Sequence, residues 1–145
     1  MPKVLVSTVI YAPIERVWRT VEDFNGLPAW MPGMKDSTIE GGKKPTEIGA
    51  VRKLGMAGTK DVLRERLEEL DVDNHRITYS VLEGPLPVKN IRTSLHLRPI
   101  TDQYATLGEW STQFDTEPGK EEEGQQFMAR VFNAGFRALK RHLGV

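Results

Sequence analysis

Two glutamates in this chain stand where a charge is costly. Glu65 lies between Leu63 and Leu67, so in a β-strand the three share one face. A carboxylate on an apolar, inward face is stable only if it is paired or hydrated. The alternative is a helix over the same segment, with Glu65 in water. Glu109, between Leu107 and Ser111, reads in the same way. The other chemistry-bearing residues form no constellation. His75, His96 and His142 are not at metal-ligand spacing, and His142 suits the C-terminal end of a helix dipole. Ser7, Ser37, Ser80, Ser94 and Ser111 fall in strand-like runs without a nucleophile elbow. "GMAG" lacks the lysine of a phosphate-binding loop. No catalytic residue, metal or cofactor is assigned.

The elements that must position the glutamates follow from periodicity. "KVLVSTVIY" is a first strand, and "APIERVWRTVEDF" switches to helical spacing at Ile14, Val17, Trp18 and Val21. "NGLPAWMPGM" holds one short helical turn around Leu27 to Met31, and "DSTIEGG" and "GAVRKLG" are short strands. "KDVLRERLEELDVDNH" favours helix by composition. The turn signal "DVDN" and the clear strand "HRITYSVLE" after it favour a hairpin, so residues 60–71 are expected to be strand. "NIRTSLHLRPI" and "YATLGEWSTQF" are two more strands. In the first, Ile91, Thr93, Leu95 and Leu97 point inward, and His96 shares the solvated face with Asn90, Arg92, Ser94 and Arg98.

The C-terminal segment is the clearest element. Glu121–Glu123 in the first turn and Lys140, Arg141 and His142 in the last match the dipole of a helix over about residues 120–143. Phe127, Val131, Gly135 and Leu139 form one stripe, flanked by Met128, Phe132 and Phe136. The order of elements predicts an α+β fold with an antiparallel sheet packed on helices. Gly135 costs about 1 kcal/mol of helix propensity relative to alanine. On the cavity-facing stripe its reason would be room, so Gly135→Leu is expected to fill a pocket without lowering the melting temperature. Between the two strands flanking it, "GPLPV" stiffens a loop with Pro85 and Pro87, which cannot sit in a sheet ladder. Leu86 and Val88 on that loop, with Met56 opposite, would cap the pocket mouth.

The totals limit the function classes. The 145 residues carry 20 Lys/Arg and 20 Asp/Glu, with no basic cluster that favours a nucleic-acid partner. With no cysteine, disulfides and thiolate chemistry are excluded. The N-terminus reads as strand, not signal peptide, and no run reaches the roughly 18 apolar residues of a membrane span. One domain over 1–145, in the cytoplasm, is the expectation.

The element order, with "APIERVWRTVEDFNGLPAWMPGMKDSTIEGG" and "RERLEELDVDNHRITYSVLEGPLPVKN", resembles the START-like superfamily. That group includes polyketide cyclase/dehydrase-like proteins, the birch-pollen-allergen fold and the plant abscisic-acid receptors. The resemblance implies a helix-grip fold: a seven-stranded curved antiparallel sheet around a long C-terminal helix, two short helices after strand 1, and a ligand cavity between sheet and helix. By position, Lys35 matches the receptor lysine that meets the ligand carboxylate, and Glu65 and Glu109 match two cavity acids. Phe127, Val131 and Gly135 match the cavity-lining helix face, where the receptors carry a polar residue in place of Gly135. "GMAGTKD" stands at the gate loop without its proline, Leu86 and Pro87 replace a His-Arg pair at the latch, and Ile91 replaces a tyrosine. These departures argue against hormone perception and phosphatase docking.

The ligand-binding residues expected are Lys35, Met56, Glu65, Tyr79, Leu86, Val88, Glu109, Phe127, Val131 and Gly135. A lysine on the cavity wall would anchor an anion, and with either glutamate would make a compensated pair. The ligand expected is a small hydrophobic molecule of lipid, polyketide, aromatic or isoprenoid type with a polar or anionic end. A cyclase or dehydratase using the same cavity is the second reading, and a protein-interaction module the third. The cavity is expected to touch Lys35, Glu65, Glu109 and Val131 and to reach the drug-sized range of about 300–1,000 Å³.

Overall fold

A computed structural model describes residues 1–145. The strands are β1 (Lys3–Ile10), β2 (Met34–Ile39), β3 (Val51–Met56), β4 (Val62–Asp71), β5 (Arg76–Glu83), β6 (Lys89–Ile100) and β7 (Ala105–Asp115). The helices are α1 (Ile14–Val21) and α2 (Glu121–Leu143), with a 3₁₀ turn over Phe24–Ala29 after α1. All seven strands form one antiparallel sheet in the order β1-β7-β6-β5-β4-β3-β2. The helices pack on its inner face. This is the α+β helix-grip architecture. No helix is long and apolar enough to cross a membrane.

The segment with helical composition is strand β4 because its neighbours decide. Leu63, Glu65 and Leu67 are buried on one face, and β3 and β5 pair with it from both sides. On the outer face Arg64 is held by Glu40 (2.7 Å) and Glu83 (3.1 Å). Pairing on two edges outweighs a propensity difference of a few tenths of a kcal/mol per residue. Asp71 accepts the Asn74 backbone N–H at 3.1 Å and closes the β4–β5 turn. At the other end of the chain, α2 stops at Gly144 in the left-handed conformation, and Arg16 of α1 donates to the Leu143 carbonyl.

Strand β7 corrects the reading of Glu109. Gly108, Trp110, Thr112 and Phe114 face inward, and Glu109 lies on the outer face, where Arg98 Nε donates to it at 2.8 Å. A strand alternates with period two, so burying Trp110 and Phe114 forces Glu109 out. The two aromatic rings bury far more apolar surface than Leu107 could, and they set the parity.

Gly135 is also corrected. A Cβ at Gly135 would stand 2.6 Å from Trp110 Cζ3 and 2.9 Å from Cη2. The glycine therefore allows close approach of α2 to the sheet; it does not leave room. Gly108 and Gly124 do the same, the first against Phe136 and the second against Phe114 and Val88. The Trp110 ring cannot slide away easily. It stacks on Phe132 at 4.9 Å between centroids, meets Phe136 edge-on at 5.2 Å, and its Nε1–H donates to Tyr79 Oη at 3.2 Å.

Gly135→Ala should therefore lower stability, although alanine is the better helix former by about 1 kcal/mol. Overpacking a rigid contact costs about 1–3 kcal/mol, and Gly135→Leu should fall further. Urea unfolding of both variants checks this, and a rise in stability for Gly135→Leu would show that the site is a void.

Candidate functional site

A partly enclosed space of about 180 Å³ lies between the sheet and α2. Six of the expected residues line it: Met56, Glu65, Tyr79, Leu86, Phe127 and Val131. Its walls are apolar, and four methionines (Met31, Met34, Met56 and Met128) contribute to them. Methionine adapts its shape at low cost, so such a wall can fit more than one occupant. The space is smaller than the drug-sized range expected, because Trp110 and Phe132 fill the part nearest Gly135.

Of the three loop residues expected to cap the mouth, two line the space. These are Met56, at the end of β3, and Leu86, in the β5–β6 connection. Pro85 and Pro87 are exposed around Leu86. Val88 does not cap the mouth. It is buried against α2, where its Cγ1 would be 2.9 Å from a Cβ on Gly124.

Lys35 and Glu109 stand outside. Lys35 is exposed on β2, where the register with β3 shifts between Met34 and Asp36. The irregularity lets Met34 line the space and leaves the lysine in solvent. The charge that compensates Glu65 is Arg52, its cross-strand partner on β3. Arg52 and Glu65 are 3 % and 5 % exposed. Nε and Nη2 of Arg52 donate to Glu65 Oε1 at 2.9 and 2.7 Å, and Nη1 donates to the Phe24 carbonyl at 2.8 Å. The guanidinium also lies over the rings of Phe24 (4.1 Å) and Tyr79 (4.9 Å). Arg52 thus fixes Glu65 and ties the 3₁₀ turn to the sheet. Sequence reasoning missed it, although the signal was present. Arg52 lies between Ala50 and Leu54 on one strand face, the same pattern that marks Glu65.

Two polar functions remain free on the wall. Both bonds from Arg52 go to Oε1 of Glu65, so Oε2 takes no hydrogen bond from the protein, and it is not a sealed atom. Tyr79 Oη accepts from Trp110, while its own O–H has no protein acceptor. Glu65 and Tyr79 lie on adjacent strands, Leu67 pairing with Tyr79 and Glu65 with Val81, so the two are diagonal neighbours on one face. Burial, then the nearby Glu65 carboxylate, push the Tyr79 phenol well above its usual range; Arg52 and the Trp110 bond offset part of this. Tyr79 is therefore a hydrogen-bond donor at neutral pH. Thr93 also lines the space, but its hydroxyl is bonded to Thr112 at 3.0 Å. No cluster of three His, Asp or Glu side chains stands where it could hold a metal ion.

A family model described as polyketide cyclase / dehydrase and lipid transport matches residues 1–144. The abscisic acid receptor PYL7 of Arabidopsis thaliana is 31% identical over 94 residues, 62% of this chain. The matched stretch spans 42% of the receptor's length. Among solved structures, the chain is similar to the protein XoxI of Bacillus cereus, with TM-score 0.85 and 28% identity over 97% of this chain and 94% of that one. It is also similar to a protein of Thermobifida fusca, with TM-score 0.85 and 33% identity over 98% and 93%. A protein of Nitrosospira multiformis matches with TM-score 0.84 and 29% identity over 97% and 94%.

Arg52→Met should cost about 3–5 kcal/mol, because it leaves Glu65 buried and unpaired. The double variant Arg52→Met/Glu65→Leu should recover most of that loss in denaturant unfolding; equal stability of single and double variants would show that the pair is not what the core depends on. Tyr79 adds a pH dependence. Its folded-state pKa is raised, so its contribution is whole below about pH 10, where an unfolded tyrosine ionises, and is lost as pH rises further. Tyr79→Phe should remove that part of the alkaline loss, read from melting temperature against pH.

Proposed function

The chain belongs to the polyketide cyclase / dehydrase and lipid transport family, and we propose that it binds a compact hydrophobic molecule bearing a hydroxyl group. The observation that carries this reading is the pairing of free functions on an otherwise apolar wall. Glu65 Oε2 can accept a hydrogen bond, and the Tyr79 O–H can donate one. A hydroxyl does both at once, donating to the carboxylate and accepting from the phenol. An anionic end fits less well. The lysine that would meet it is exposed on β2, and Arg52 is occupied by Glu65 and the Phe24 carbonyl. A space of about 180 Å³ suits an aromatic or isoprenoid alcohol better than a long lipid or polyketide chain.

Binding without turnover is the reading the polar groups favour. General acid–base work needs a group that can give or take a proton near neutral pH. Burial holds the Tyr79 proton more firmly than usual, and Glu65 is positioned by two bonds from Arg52 to Oε1, with Oε2 left to accept from a ligand. Such an arrangement suits recognition of a hydroxyl better than transfer of its proton. The apolar residues, Met56, Leu86, Phe127 and Val131 among them, would supply most of the affinity through burial.

The test compares a small aromatic alcohol with its methyl ether by displacement of an apolar fluorescent probe. The alcohol should bind about tenfold more tightly, the value of roughly one well-placed hydrogen bond to a charged group. Tyr79→Phe should narrow that preference, and Val131→Trp should abolish uptake of the probe with little change in melting temperature, since Val131 is only half-buried. Equal affinity for alcohol and ether would sink the assignment of the hydroxyl. Undiminished uptake by Val131→Trp would place the ligand elsewhere.

A further inference from the structure

The outer face of the sheet carries a second depression, of about 650 Å³, that the cavity reading leaves unused. It lies over β1, β7, β6 and β5, and its walls hold Lys3, Arg76, Arg92 and Arg98 against one carboxylate, Glu109. The chain as a whole has balanced charge, so the fold has gathered these cations. Their pairing is unequal. Arg76 is bound by Glu69 at 2.8 Å and by Asp71 at 3.6 Å, and Arg98 by Glu109 at 2.8 Å. Lys3 has no carboxylate partner, and the nearest to Arg92 is Glu68 at 3.7 Å, itself held by Arg66 at 2.7 Å.

The two least-paired cations flank one residue. Lys3 of β1 and Arg92 of β6 both pair with Gln113 of β7, one on each side. Adjacent strands are about 4.8 Å apart, so the two backbones stand roughly 10 Å apart and their long side chains can converge above Gln113. The Gln113 amide and the Ser111 hydroxyl on the same face make no hydrogen bond within the protein. Leu5, cross-strand partner of Ser111 and 63% exposed, supplies an apolar wall. Nearby His96 is held below its usual range by burial first, then by Arg98 and Arg76, with Glu109 and a backbone bond to Asn74 offsetting part of this.

We propose that Lys3, Arg92, Gln113 and Ser111 form a site for the phosphate of a small, soluble phosphate monoester, with the organic part lying along Leu5. Arg92 offers a planar fork of N–H donors, Lys3 a point charge, and the amide and hydroxyl two neutral donors between them. Donors from three strands match the three free oxygens of a monoester better than the two of a carboxylate. The site is independent of the inner cavity, since the sheet separates them.

The experiment is an NMR titration of the whole chain with inorganic phosphate and with phenyl phosphate, against chloride at equal ionic strength. Saturable shifts should appear at Ser111, Gln113 and the Arg92 Nε–H, with phenyl phosphate the tighter of the two. Lys3→Gln and Arg92→Gln, both surface changes, should each weaken binding about tenfold. Arg130→Gln, on the α2 side, should leave it unaltered. Shifts that never saturate, or that are equal in wild type and the two variants, would reduce the effect to charge screening and overturn the site. Binding to phosphatidylserine vesicles in the absence of binding to phenyl phosphate would overturn it in favour of a membrane surface.

Discussion

The contact of Trp110 with Gly135 sets the spacing between the sheet and the long helix, and most of the interior follows from it. The indole lies where a Cβ on the helix would be, 2.6 Å from the ring. Phe132 and Phe136 hold the ring from the helix side, Trp30 lies 6.0 Å away, and Tyr79 accepts its N–H. The indole therefore occupies the space between sheet and helix beside Gly135. What remains is a small apolar chamber toward the N-terminal half of α2. Interiors at crystal-like density do not yield continuously, so the chamber's size is a property of this contact.

The buried Arg52–Glu65 pair is the second fixed point. A lone carboxylate at that depth would be expensive, and a well-packed apolar pair would stabilise the core as well or better. The pair contributes position. Arg52 reaches from β3 to β4 for Glu65 and across to the Phe24 carbonyl, so one guanidinium holds the sheet and the 3₁₀ turn in register. It also leaves one carboxylate oxygen uncommitted on an apolar wall. With the Tyr79 hydroxyl, that oxygen gives an otherwise apolar wall two uncommitted polar functions.

The sheet thus presents two different chemistries from the same strands. On β6 the inward residues Ile91, Thr93, Leu95 and Leu97 are buried, and the outward ones include Arg92, Ser94, His96 and Arg98. The inner face offers apolar walls and two polar atoms. The outer face offers cations, two of them without a carboxylate in hydrogen-bond reach. Neither face can be shifted by one residue without exchanging them, which is why the register is strongly specified.

The element order, the strand character of residues 62–71, the inward face of β6 and the inward Glu65 were legible in the sequence. Each is a local pattern, of period two or 3.6, or a turn signal beside it. Arg52 was legible by the same rule, from Ala50 and Leu54 on its face. Glu109 was not, because β7 places plausible residues on both faces and only the burial of Trp110 against α2 chooses between them. Lys35 was not, because an irregular register between β2 and β3 breaks the alternation at that point. Gly135 announced itself as a helix glycine that needs a reason. Room and close approach are alike in sequence, and the choice depends on which side chain arrives from a strand 25 positions away, Trp110. Local periodicity is written in neighbouring residues, and so the sequence alone determined the elements and most of their faces. The partner of Glu65, the size of the chamber and the gathering of cations on the outer face depend on which residues meet across strands, and that only the tertiary structure decided.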